Sequence, residues 1–599
     1  MAAGRVRDWE IERLEIGEYS DTWESPGRHW WERLTVADGL LVLILLAGGV
    51  IRFVNLGRIP LSDPEAELAL AVWRFWQPGS GADSIPGSPA YFTLTALLTQ
   101  LFGFGDAVMR LAPALFGLAL VGLPWLLRRR LGDAGALVVC AFLAISPLNL
   151  ILSRTVGGEA IALFALLLLA AALVQYADTA VPYWFYLAAA ALGLGLTSAP
   201  LFYSGLVTLL AVWAVIRLLH LPLFPEREQP APPVQPHLRR NALLVGGGVF
   251  VALSSMLLWY LPGLGGAAQI LGAWLAQMGG DGHGRTLADP FLALARYEPA
   301  LLVLGTVALV WALWRSSIPG LALVYWLLAA LLLLLIQPGV MSNAALVTLP
   351  GYLLVGLLAN LVLTERPITG LGWGVAGGVF LFLMLMVVNL GRFVRVVVFN
   401  PNEVQYLAMM IMGLMLLAVL LYLVLTLDVT AVTQGLLLGL LAFLVIITWG
   451  TGWWLGHLAA NDPRERWVQT ATDNNVHLLR QTLQSLSLQR DGSATGLDLA
   501  SSVDTAVLRW YLRDFGNARI GQTLPVGGAD VLITPAQAEL ALADGYSGSD
   551  FGLTLHKNPP EQTGINARTF TDTLRWWFFH DSPARPATER VIVWVKAQE

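Results

Sequence analysis

The sequence predicts a polytopic α-helical membrane protein, with about 13 transmembrane helices and a C-terminal soluble α/β domain. Three observations predict it: too little charge for a soluble protein, a succession of apolar segments of bilayer length, and an abrupt turn to polar composition near residue 455. Of the 599 residues, 13% are charged and 56% hydrophobic, whereas soluble domains carry roughly 25% charge. A soluble chain this poor in charge could not cover its own surface. A cytosolic globular enzyme and a disordered chain are excluded, as is a nucleic-acid binder, which needs a basic face. The net charge of −5 is too small to steer a partner. A single cysteine, Cys140, rules out an intrachain disulfide and a cysteine metal cluster. Lys557 and Lys596 are the only lysines, so arginine carries nearly all positive charge.

A helix needs about 20 apolar residues to cross a hydrocarbon core of roughly 30 Å. Segments 38–55, 110–127, 134–152, 159–176, 182–198, 201–219, 242–260, 299–314, 319–336, 343–363, 369–389, 404–426 and 430–450 meet that condition. The stretch 91–104 is shorter and bounded by Gly and Pro, which suits a re-entrant or interfacial helix. Residues 1–37 read as a cytoplasmic segment without a cleaved signal peptide. Cytoplasmic ends collect arginine, and the run Arg128-Arg129-Arg130 is the strongest anchor for this orientation. The membrane domain is expected to occupy 38–455. An odd number of spans then places residues 462–599 outside, as an extracytoplasmic α/β domain of a multi-pass plasma-membrane protein. In that tail Val476–Leu488, Val507–Phe515, Pro535–Ala543 and Thr571–Phe579 read as helices, and Val531–Thr534 and Val591–Val595 as strands. The connection 221–241 is proline-rich and reads as a stiff linker.

Two outer loops carry the chemistry, 56–109 and 153–159. In the first, Leu61-Ser62-Asp63-Pro64-Glu65-Ala66-Glu67 sets three acids within five positions. Asp63 as N-cap ahead of Pro64 would start a helix, and acids on a first turn suit its dipole. Charge held near hydrocarbon is costly and marks candidate sites. The second loop brings Arg154 and Glu159 to the same face. A guanidinium fork matches phosphate with two parallel hydrogen bonds. Arg110 reads equally as a helix-end arginine reaching the interface. In the glycine-rich loop 261–298, Asp281 and His283 offer two candidate ligands for a divalent metal, and no other cofactor is implied. Trp510, Tyr511 and Arg513 share one helix, where they either pack or stack on a sugar.

Several of these residues form a pattern: Arg52, Leu56-Gly57, the spaced acids, Ser88-Pro89-Ala90-Tyr91-Phe92, Phe102-Gly103, and Met109-Arg110-Leu111-Ala112-Pro113. The pattern resembles the GT-C membrane glycosyltransferases. It is most similar to family 39, which holds the protein O-mannosyltransferases and the lipid A aminoarabinose transferases. In the tail, Trp467-Val468-Gln469-Thr470 and Leu508-Arg509-Trp510-Tyr511-Leu512-Arg513-Asp514-Phe515 resemble the flippase-associated membrane proteins of archaeal-type N-glycosylation. Aligned on Glu65 and Ala69, the family's Asp-Glu pair falls on Pro64 and Glu65, with Asp63 one place early. The resemblance implies transfer of a sugar, with inversion, from a polyprenyl-phosphate donor to a glycan, lipid or protein acceptor on the extracytoplasmic face. It implies Glu65, Asp63 and Glu159 as catalytic carboxylates. Arg154, Arg110, Arg58 and Tyr91 are then the substrate-binding residues. The alternatives from other classes are a lipid-linked-sugar flippase or transporter-associated protein, and a catalytically silent scaffold.

Overall fold

The computed structural model describes residues 35–77, 87–219, 236–280, 285–364, 367–399, 428–468, 470–521, 529–536, 545–556, 576–580 and 586–597, with single turns between 411 and 426. Helices α1 (Val36–Phe53), α2 (Asp63–Phe75), α3 (Pro89–Phe102), α4 (Asp106–Met109), α5 (Leu111–Gly122), α6 (Arg128–Leu131), α7 (Asp133–Ile145), α8 (Pro147–Arg154) and α9 (Glu159–Thr179) come first. They are followed by α10 (Pro182–Leu196), α11 (Pro200–Leu218), α12 (Pro236–Ser254), α13 (Leu264–Ala276), α14 (Ala288–Tyr297), α15 (Thr306–Arg315), α16 (Ile318–Ile336), α17 (Ala344–Thr364), α18 (Gly370–Phe399) and α19 (Val429–Trp453). The tail adds α20 (Asn475–Asp491) and α21 (Ala506–Tyr511).

Among the described residues, eight helices are long and apolar enough to cross a membrane, or ten if two bent pairs each count as one span. Thirteen were expected, and the difference has local causes. Helix α10 stops after 15 residues, at Thr197-Ser198. Helix α12 ends at Ser254 rather than near 260, because Met256, Leu257 and Leu258 all adopt left-handed backbone, a conformation that halts a right-handed helix. The expected span 134–152 is broken by Pro147 into α7 and α8, bent by 54°. A proline removes one helix hydrogen bond and favours a new first turn. The span expected at 299–314 continues from α14 through a bend of 102°. The span expected at 404–426 lies largely outside the described residues. The segment 91–104 falls on α3, a helix of 14 residues buried over its first half and exposed at its end.

The tail folds as a six-stranded mixed sheet: β1 (Thr470–Thr472), β2 (Leu499–Ser501), β3 (Ala518–Ile520), β4 (Val531–Pro535), β5 (Tyr546–His556) and β6 (Ala587–Lys596). Its order is β1-β5-β6-β4-β2-β3, with β2 parallel to β3 and β4 and the remaining pairs antiparallel. The strand expected at 591–595 is the centre of β6. The helix expected at 507–515 ends at Tyr511, and the one expected at 535–543 falls outside the described residues beyond Pro535, which closes β4. The sheet domain is not a loose appendage. Leu61, Ala66, Leu70 and Tyr91 of the first loop form one apolar core with Val476, Leu508, Trp510 and Val593 of the tail.

Candidate functional site

The first loop builds its site around Glu65. Ser62 is the N-cap of α2, with Asp63 at the first helical position, so the expected cap moves back by one residue. Glu65 then closes the turn: the Ser62 N–H and hydroxyl donate to its Oε2 at 2.9 and 3.1 Å. This is the reciprocal half of a capping box. From the other side Arg110 donates to the same carboxylate at 2.9 and 3.2 Å, and the Val156 N–H at 2.8 Å. Both charged side chains are buried, 5% and 8% exposed. Burial would raise the Glu65 carboxyl, but the Arg110 charge and the donated hydrogen bonds outweigh it and hold the group below its ordinary value. Arg110 spends its remaining donors on the carbonyls of Leu56, Ile59 and Pro60. One ion pair thereby fixes the loop after α1, the start of α2 and the loop before α9.

Arg154 closes α8 and serves main chain. It donates to the carbonyls of Ile51, Arg52, Val54, Asn55 and Gly456 at 2.7–3.3 Å. The last carbonyls of a helix lack intrahelical partners, and α1 ends at this cluster. Arg52 does the same for α7, donating to Leu143 and Ala144.

Glu65, Arg110, Arg154 and Arg285 line a cavity of about 270 Å³ together with Ile59, Thr155, Asn461, Trp467 and Thr472. Its walls therefore come from the first loop, the end of α8, the loop before α14, and the start of the tail. Arg285 reaches across to the Trp467 carbonyl at 2.8 Å. Among the described lining residues three arginines stand against one carboxylate, a net cationic set that favours an anionic ligand in a low-dielectric recess.

The other expected residues stand around this cavity rather than in its lining. The Asp63 Oδ1 accepts from the Val507 N–H at 3.1 Å and so caps α21 of the tail. Glu159 starts α9 half-buried, three residues beyond Val156. Its carboxylate lies over Gly157, where a Cβ would stand 2.3 Å from Oε2. Tyr91 is buried, and its hydroxyl donates to the Met109 carbonyl at 2.9 Å, next to Arg110. Arg58 is exposed on the loop that leads into the cavity wall at Ile59. Asp281 and His283 lie outside the described residues. Among the described residues no group of three His, Cys, Asp or Glu side chains is placed to hold a metal ion.

Trp510 and Tyr511 pack rather than line the cavity. Both donate to Asp106, at 2.8 and 2.6 Å, and Arg513 lies 3.8 Å over the Trp510 ring. Asp106 escaped the sequence reading because a single acid opening a short helix has no signature. Arg285 and Trp467 escaped it because their meeting depends on how the tail returns to the membrane domain.

Residues 86–222 match the family model of dolichyl-phosphate-mannose-protein mannosyltransferase. The match runs from α3 through α11 and includes Tyr91, Arg110, Arg154 and Glu159. No curated protein matches the chain. In fold the chain is similar to ArnT from Cupriavidus metallidurans in the apo state, with TM-score 0.48 and 16% identity over 80% of this chain and 85% of that one. It is also similar to the same protein bound to undecaprenyl phosphate, with TM-score 0.49 and 16% identity over 83% and 93% of the two chains. The family-model match thus covers α3 to α11 of a polytopic helical domain that is followed by a C-terminal α/β domain.

Proposed function

We propose that the protein is an integral-membrane glycosyltransferase that moves a sugar from a polyprenyl-phosphate donor to an acceptor on the extracytoplasmic face, with inversion. The observation that carries this reading is the cationic cavity between the membrane domain and the tail. The mannosyltransferase match over residues 86–222 supports the donor class. Helix termini support the orientation. Arg128–Arg130 sit at the opposite end of α1 from the cavity, so cytoplasmic arginine leaves the cavity and tail outside.

In this reading the acceptor hydroxyl or amide attacks the anomeric carbon while the carbon–oxygen bond to phosphate breaks. The electron pair leaves with the polyprenyl phosphate, and a carboxylate takes the acceptor proton. Glu65 is poorly fitted to that last role, because five donated hydrogen bonds occupy its oxygens. The role passes to Asp63, which has one oxygen engaged, or to Glu159. Arg110 and Arg154 supply fixed positive potential, and Arg58 is the exposed guanidinium for the donor phosphate. The test offers membranes containing the protein a panel of polyprenyl-phosphate sugars and measures transfer. We expect turnover from at least one donor, and a loss of about 100-fold or more in Asp63→Asn or Glu159→Gln. Equal transfer by both variants removes the base assignment.

A second reading, a silent scaffold of the same pathway, is favoured by one observation. Asp63 and Asp106 both hold the tail. No transfer from any donor, with the fold intact, selects it.

A further inference from the structure

A second cavity lies at the other end of the membrane domain. It has a volume of about 250 Å³ and is lined by Trp125, Arg128, Arg129, Gln175, Thr179 and Trp184. Asp38, at the start of α1, approaches Arg128 at 3.7 Å, and the end of α1 reaches Arg154. The contacts, at Asp38 and Arg52, lie 14 helical positions apart on α1, a rise of ~21 Å. The two cavities therefore face opposite sides of the hydrophobic layer.

The lining divides into fixed and available groups. Arg130 is tied to Asp178 at 2.9 Å, which also neutralises the nearest acid on α9. Gln175 is buried and holds the Leu126 carbonyl, and the Thr179 hydroxyl donates to the Gln175 carbonyl at 2.7 Å. These bonds fix the floor. Arg128 lies with its guanidinium 4.8 Å over the Trp125 ring, so one face is taken while the edge that forks toward phosphate stays outward. Asp38 is a weak competitor for that edge, since its Oδ1 stands 3.7 Å from Arg128, beyond hydrogen-bond reach, while Thr35 holds its Oδ2 at 3.0 and 2.8 Å. Arg129 is exposed beside it. Trp125 and Trp184 both line the recess, and such rings are enriched at headgroup depth.

Other arginines near this face lack the recess. Arg217 lies 5.8 Å over Trp213, but that ring is 60% exposed on the outside of α11. Arg239 and Arg240 are exposed at the start of α12. A general preference for cytoplasmic arginine accounts for all of them, yet not for two guanidinium groups beside a recess lined by two tryptophans. We propose that this cavity binds the phosphate of an anionic membrane lipid, with Arg128 and Arg129 on the phosphate oxygens and Trp125 and Trp184 against the glycerol.

Native mass spectrometry of the full chain in neutral detergent, with added phosphatidylglycerol or phosphatidylcholine, tests it. The expected result is one retained phosphatidylglycerol and no retained phosphatidylcholine. The double variant Arg128→Gln/Arg129→Gln should bind about 30-fold more weakly, on the usual contribution of an arginine near anionic lipid. Arg239→Gln/Arg240→Gln should retain the lipid as the wild type does. Trp184→Ala, which leaves every charge in place, should also lose it. Unchanged melting of each variant keeps misfolding out of the comparison. Equal retention of both lipids, or equal loss in the Arg239/Arg240 variant, overturns the proposal. Displacement of the lipid by millimolar inorganic phosphate also overturns it, by assigning the cavity to the free ion.

Discussion

The two ends of the membrane domain use arginine in opposite ways. Around the Glu65 cavity, Arg52, Arg110 and Arg154 are 0%, 4% and 8% exposed, and their donors go to main-chain carbonyls and one carboxylate. At the far end Arg128 and Arg129 are exposed and border an open recess. The difference follows the backbone. At the first end α1 stops, α8 stops and the loop 54–62 runs without helical bonds, anchored by buried Leu56, Pro60 and Leu61, so many carbonyls have lost helical partners. Irregular backbone at membrane depth persists only where protein groups satisfy it. At the second end α6 turns directly into α7 through Gly132, whose left-handed φ of 75° accommodates the turn. Buried arginine here is first a replacement for missing backbone hydrogen bonds. Its charge, fixed in place by that work, is what remains to act on a ligand.

The comparison can be broken at its strongest point. Arg110→Ala leaves the Glu65 carboxylate buried and unpaired, so it should cost about 3–5 kcal/mol, read by unfolding in detergent. A cost below about 1 kcal/mol would mean that the loop is held by something other than this ion pair. Arg154→Ala strands five carbonyls and should cost on the order of 3 kcal/mol, whereas Arg129→Ala should stay within about 0.5 kcal/mol. Equal costs would erase the distinction between the two ends. Asp106→Ala removes the acceptor shared by Trp510 and Tyr511 and should cost about 1.5–3 kcal/mol. Because that contact joins tail to loop, limited proteolysis should release the tail faster in this variant.

The smallest effect expected is one of pH. The Glu65 carboxyl is held below its ordinary value, so its contribution is fully present above about pH 4.3 and is lost as pH falls through the lower folded value. Melting temperature should therefore fall on acidification in the wild type. Glu65→Gln should start lower and lose part of that acid slope. An identical slope in the variant would transfer the effect to other carboxylates.

Much of the membrane domain was legible because apolar length is a local property. The spans beginning near 36, 111, 159, 200 and 318 fall within three residues of the apolar segments. What misled was uniform greasiness. Nothing in 242–260 announces three left-handed residues, and only Pro147 hinted that 134–152 would bend. At the site, Glu65, Asp63, Glu159, Arg154, Arg110, Arg58 and Tyr91 were expected as one set; Glu65, Arg110 and Arg154 line one cavity, and the other four stand outside its lining. Their work was less legible. Glu65 looks like a free acid in sequence, yet its partners lie 45 and 91 residues away, at Arg110 and Val156.

Sequence alone determined that this chain lives in a bilayer and ends in a polar α/β domain, because span length and composition are set by the thickness and dielectric of hydrocarbon. Tertiary structure alone decided which charges are anchors and which face a ligand. An arginine's partners are carbonyls freed by breaks and helix ends, and those carbonyls come together only when distant segments pack.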